Sequence, residues 1–111
     1  MVKIIHMQES LKDGESPTSG MMLSEAFDLP VNQATLKTGF ASFKADVRQP
    51  PEGLVSREEV EISLILSGDT ELYTPDRTYV LKAGDLVMIP PGVPNAAKAL
   101  TDLTVYYMLC G

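Results

Sequence analysis

Apolar and polar residues alternate along much of this chain with a period of two, and glycine, proline and Asx turns interrupt the alternation every few residues. Residues 59–67 show it best: Val60, Ile62, Leu64 and Leu66 fall on one side of a pleat, and Glu59, Glu61, Ser63 and Ile65 on the other. Residues 70–74 and 78–81 flank a Pro75-Asp76-Arg77 turn and read as a hairpin. Residues 86–89 form a short apolar, partly β-branched run and read as a buried strand. Gly84 precedes it, and Pro90 and Pro91, which cannot donate to a sheet ladder, stop it. The chain re-extends over 93–100, and 103–110 is the last strand.

The first half is less regular. Residues 36–47 alternate as one long strand, with Phe40, Ser42, Lys44 and Asp46 on one face and Ala41, Phe43, Ala45 and Val47 on the other. A Gln49-Pro50-Pro51 break follows. Residues 2–7 read as an edge strand or an arm crossing to a second copy, and 8–20 as a loop. Residues 21–29 fit a helix, through Met22/Ala26 and Leu23/Phe27, or a strand, with Pro30 closing either. Short strands between regular turns predict an all-β sandwich or barrel.

At 111 residues the chain is expected to form one domain, long enough for a core without disulfides. A net charge of -6 argues against nucleic acid and anionic membrane surfaces as partners. The single cysteine, Cys110, excludes an intrachain disulfide, and with no long apolar leader the expected compartment is the cytoplasm.

The run from Gly84 to Asn95 resembles the second motif of the cupin family, G(X)5PXG(X)2H, with Gly84, Pro90 and Gly92 in place and Asn95 where the family has a metal-binding histidine. In the first motif, G(X)5HXH(X)3,4E(X)6G, Gly68 fits the closing glycine and Glu61 the glutamate, with Gly53 near the opening one. The two histidine positions then fall on Leu54 and Ser56, or on Val55 and Arg57. The resemblance covers roughly residues 36–110. It implies a cupin-like double-stranded β-helix, or jelly-roll barrel, with residues 36–111 as the barrel and 1–35 as an N-terminal arm and loop packed on it. It also implies a homodimer formed through the outer face of one sheet.

The lost histidines set the expected chemistry. Only Glu61 survives of the family's metal set, and His6 lies outside both motifs, so no metal and no cofactor are expected. Glu61 and Asn95, with Glu59, would make an oxygen-only set suited at most to weak Mg or Ca binding. The resemblance turns Glu61 and Ser63 into the barrel and brings Asn95 in from the opposite sheet, with Glu59 near the mouth. Periodicity alone instead puts the apolar side inward and leaves both glutamates in water. On the first reading, Glu59, Glu61, Ser63, Asn95, Arg57 and Tyr107 bind a small polar ligand, a sugar or small organic acid, in a metal-independent sensor or pathway accessory. A lyase or isomerase with Glu61 as general acid or base, its pKa raised by burial, is one alternative. A structural subunit with a filled barrel is the other.

Overall fold

Nine strands build two antiparallel sheets in the structure, a computed structural model that describes residues 3–111. They are β1 (Met21–Val31), β2 (Ala34–Phe43), β3 (Arg48–Gln49), β4 (Val60–Ser67), β5 (Asp69–Tyr73), β6 (Thr78–Lys82), β7 (Leu86–Ile89), β8 (Ala96–Ala99) and β9 (Leu103–Cys110). One sheet has the order β1-β2-β9-β4-β7 and the other β3-β8-β5-β6. The two face each other across a shared interior, giving the jelly-roll barrel expected from the sequence.

The second half follows the sequence pattern closely. Gly68 and Gly84 both take a positive φ, at 88° and 90°, in the turns that bound β4–β5 and β6–β7. At Gly68 a Cβ would also run into the Asp102 carbonyl.

The first half departs from expectation in four places. Residues 8–20 are not all loop, because Met7–Lys12 forms a one-and-a-half-turn helix, α1. Six residues are too few to hold a helix alone; Leu11, buried against β1 and β2, holds it in place. No strand forms over the described part of 2–7, where residues 3–6 lead irregularly into α1; Val2 lies outside the described residues. The ambiguous stretch from Met21 is a strand, and Pro30 does not close it. β1 is the sheet edge, so the missing N–H of Pro30 costs no ladder bond on the open side. β1 pairs with β2 along its whole length, so the sheet begins at Met21 and not at residue 36. Finally, β2 stops at Phe43, short of the expected Val47. Asp46 takes a φ of 72° and turns the chain toward the second sheet, where its N–H donates to the Ala99 carbonyl at 2.8 Å.

The outer face of the large sheet is covered unevenly. α1 shields the β1–β2 side, where Ser24 and Thr38 are buried. The β4–β7 side is bare: Leu86 is 69% and Met88 57% exposed. Among the described residues no helix is long and apolar enough to cross a membrane.

Candidate functional site

Residues directly opposed across antiparallel strands share a face of the sheet, so the registers define the walls of the interior. One row runs Gly39, Tyr107, Ser63, Val87, with Glu25 opposite Gly39 at its end. The next runs Lys37, Leu109, Glu61, Ile89. The row on the other side of Tyr107 is Ala41, Val105, Ile65. On the facing sheet, Gln49, Ala97, Leu72 and Tyr79 form one row, and Ala99, Thr70 and Leu81 the next.

These rows divide the barrel along its axis. Toward the Gly68 and Gly84 turns it is plugged: Ile65, Ala99 and Leu103 are at most 4% exposed, with Phe43, Leu81 and Val105 packed on them. Toward the other end polar Ser63, Glu61, Tyr107 and Gln49 share the rows with apolar Val87, Leu109, Ile89 and Leu72. The face of β4 carrying Glu61, Ser63 and Ile65 is therefore the inner one. Periodicity misleads here because the apolar outer positions Ile62 and Leu64 are themselves partly covered by their neighbours.

Glu61 is held by two neighbours. The Arg57 Nε lies 3.3 Å from one carboxylate oxygen, and the Ser63 hydroxyl donates to the other at 3.3 Å. Arg57 is half exposed, so the ion pair stabilises the fold by no more than about 1 kcal/mol. It does fix the site's charge, because the guanidinium and carboxylate neutralise each other. The Pro-Pro-Gly turn sets the backbone of Arg57: the Gly92 N–H donates to its carbonyl at 2.8 Å.

Asn95 stands beside the segment that carries the first motif's histidine positions. Its backbone exchanges two hydrogen bonds with Val55, at 2.8 and 2.9 Å. Its side-chain nitrogen donates to the carbonyls of Val93 at 3.0 Å and Val55 at 3.3 Å. The amide thus spends its donors on the loop, and only its oxygen is left for another partner. Glu59 packs against Gly111, where a Cβ would come within 3.1 Å of its Cγ.

Tyr107 lies across Gly39, where a Cβ would collide with its hydroxyl and with the Ser24 carbonyl. Burial raises its pKa above the usual tyrosine value; the charge of Glu25 adds to this, Arg57 opposes it, and Glu61 adds again. The phenol therefore stays protonated and can both donate and accept.

The residues at the family's metal positions do not fit a transition metal. Arg57 is a cation already paired with Glu61, Val55 and Leu54 have no donor side chain, Ser56 offers only a neutral hydroxyl, and the Asn95 amide is turned to the backbone. His6 stands at the N-terminus of α1, on the helix that packs outside β1 and β2. Among the described residues no three His, Cys, Asp or Glu side chains converge.

Glu25 and Gly39 were not visible as site residues in the sequence. Glu25 and Gly39 enter through the β1–β2–β9 register, which no local pattern encodes. Gln49 lies in the proline-rich break yet forms a two-residue strand.

Comparison with known proteins places this architecture. The family model described as AraC-like ligand binding domain matches residues 55–110, just over half of the chain. An RmlC-like cupin from Shewanella frigidimarina is 19% identical, with a TM-score of 0.69 over 89% of this chain and 85% of its own. KdgF from a Halomonas species is 17% identical, with a TM-score of 0.78 over 98% and 94%. Ectoine synthase from P. lautus is 14% identical, with a TM-score of 0.77 over 97% and 77%. At these identities the likeness is one of fold. A search of curated proteins finds no match.

Proposed function

The chain belongs to the AraC-like ligand binding domain family and is a cupin by fold, and from that premise we propose that it binds a small polar ligand in the polar end of its barrel without a metal. The ligand class is a sugar or small organic acid, and the role is that of a sensor or pathway accessory. Glu61, Ser63, Tyr107 and Arg57 supply the contacts, with the Asn95 oxygen at the rim and Glu59 beside the C-terminus. The observation that carries the reading is the division of the interior. An apolar plug fills one end, while hydroxyls and a neutralised ion pair line the other. A scaffold with a filled barrel would have no reason to keep Ser63 and Tyr107 inside.

Binding fits Glu61 better than proton transfer does. Its two carboxylate oxygens are engaged by Arg57 and Ser63, which are partners an ionised carboxylate takes. It orients donors. The test is a calorimetric and thermal-shift screen of monosaccharides and hydroxy acids, repeated with Glu61→Gln. The expected result is a saturable ligand whose affinity falls about ten- to a hundredfold in the variant, one lost charge-assisted contact being worth roughly 1.5–3 kcal/mol. Turnover of that ligand by wild type, abolished in Glu61→Gln at unchanged affinity, would make the protein an enzyme instead.

We also infer a homodimer. Leu86 and Met88, flanked on the same outer face by Ile62, Leu64 and Tyr106, make a contiguous apolar surface that a second copy would cover.

A further inference from the structure

A cleft of about 410 Å³ opens on the outer face of the large sheet, at the plugged end of the barrel. It shares no residue with the polar rows around Glu61 and Tyr107. Its floor follows one row across the sheet: Met22 opposes Ser42, Ser42 opposes Thr104, and Thr104 opposes Ser67. Ser67 reaches this row through a bulge. Strict alternation from Ser63 and Ile65 would point it into the barrel, but the register slips between Ile65 and Ser67 and turns it outward, opposite Thr104. Three hydroxyls from three neighbouring strands therefore line the cleft together.

The loop that carries Ser16 and Gly20 walls the cleft on the side of β1, and its backbone is fastened. Glu15 exchanges two hydrogen bonds with Leu23, at 2.7 and 2.8 Å. The Met21 N–H donates to the Thr18 carbonyl at 3.0 Å, and the Lys44 N–H to the Gly20 carbonyl at 2.7 Å. The cleft is thus formed before anything enters it, and its volume falls in the range of small-molecule pockets, about 300–1,000 Å³.

Two opposite charges stand at one end of the row. Lys44 and Asp102 each lie one residue beyond Phe43 and Leu103, the last pair of the β2–β9 ladder, and both line the cleft. The Asp102 Oδ1 accepts from the Ala45 N–H at 2.9 Å, which fixes the carboxylate and leaves Oδ2 for another partner. Among the described residues Lys44 forms no ion pair, with Asp102 or with any other acid. A cation and an anion on neighbouring strand ends, not paired to each other, match a molecule that carries both signs close together. A simple carboxylate would meet Lys44 but be repelled by Asp102, and a simple amine would meet the reverse.

We propose that this cleft is a second ligand site, separate from the barrel, and that it binds a free α-amino acid with a polar, uncharged side chain. The α-carboxylate pairs with Lys44 and the α-ammonium with Asp102. The side chain lies along Ser42, Thr104 and Ser67, whose hydroxyls both donate and accept and so suit an amide or a hydroxyl. The reading does not depend on what the barrel holds.

The test is a backbone NMR titration of the wild-type protein with L-glutamine and with L-serine. Two analogues of glutamine follow: 4-carbamoylbutanoate, which lacks the ammonium, and 4-aminobutanamide, which lacks the carboxylate. The expected result is saturable shifts at Ser42, Lys44, Ser67 and Thr104, with both analogues weaker than glutamine. Lys44→Met and Asp102→Asn, the second of which keeps the acceptor for Ala45, should each weaken binding about three- to fivefold, as part-exposed ion pairs do. The double variant should weaken it about tenfold or more. If a variant loses its circular dichroism spectrum, the two analogues carry the same comparison on the wild-type protein. Shifts confined to Ser63 and Tyr107 would put the amino acid in the barrel and overturn the proposal. Binding of either analogue as tight as glutamine would overturn it by removing the need for both charges. No shift along the row with either amino acid would overturn it while leaving the barrel site untouched.

Discussion

Replacing Gly39 by alanine tests the interior arrangement at its tightest point. Gly39 is not in the left-handed region of backbone space, so alanine meets no torsional objection there. On backbone entropy alone the change would stabilise the protein by about 0.4–1 kcal/mol. Sterics oppose it. The added Cβ would sit 2.5 Å from the Ser24 carbonyl oxygen and 2.5 Å from the Tyr107 Cζ. The tyrosine ring can yield by rotating, but the Ser24 carbonyl belongs to the paired β1 strand and moves only with the sheet. Overpacking of this kind costs about 1–3 kcal/mol or more, so the net expectation is a loss of about 2 kcal/mol. With an unfolding entropy of about 2.1 cal/mol/K per residue, that is a fall of roughly 8–10 °C in melting temperature. Urea denaturation followed by circular dichroism measures the loss directly. Tyr107→Phe in the Gly39→Ala background removes the hydroxyl and should restore part of it, with a coupling of about 0.5–1.5 kcal/mol in the double-mutant cycle. Gly39→Ala at or above wild-type stability would mean that Tyr107 does not lie across Gly39, and the polar row built on that contact would have to be redrawn.

Two further outcomes follow from the geometry. Because burial and Glu25 hold Tyr107 protonated beyond the usual tyrosine range, the folded state retains its proton at a pH where the unfolded chain has lost it. Stability from this source is complete below the unfolded tyrosine pKa, about 10, and is lost as pH rises from there through the folded value. Tyr107→Phe should therefore flatten the alkaline fall in melting temperature, and an unchanged slope would count against the buried phenol. Leu86→Glu, on the bare outer face, should convert a dimer to a monomer in light scattering while leaving the circular dichroism spectrum unchanged; a wild-type monomer would refute the covered-face reading.

The strands after residue 59 were legible because each is short, alternating and bounded by glycine or proline whose backbone preferences act locally. Gly68 and Gly84 fall where turns require positive φ. The inner face of β4 was not legible from periodicity, since Ile62 and Leu64 are apolar on the outside as well. The resemblance to the cupin motifs pointed the right way there. α1 escaped notice because six residues carry too little pattern, and it is fixed by Leu11 docking on a sheet that the sequence does not announce. Pro30 signalled an end that edge-strand geometry makes unnecessary. Within the candidate site, Glu61, Arg57 and Ser63 lie within seven residues of one another and were found together. Glu25 and Gly39 join them only through long-range pairing.

The place of β9 bears on how the protein comes to exist. It is the ninth of the nine described strands, yet it lies at the centre of the larger sheet, between β2 and β4, pairing Leu36 with Cys110 on one side and Val60 with Cys110 on the other. Until it has emerged from the ribosome, the β1–β2 hairpin and the β4–β7 pair have nothing to join them. Their inner faces stay open to solvent until then, and the non-local closure that ends this exposure is intrinsically slow. The large sheet therefore closes only once β9 has been made, and the nascent chain is a candidate for chaperone protection until this eight-residue strand slides between the two halves.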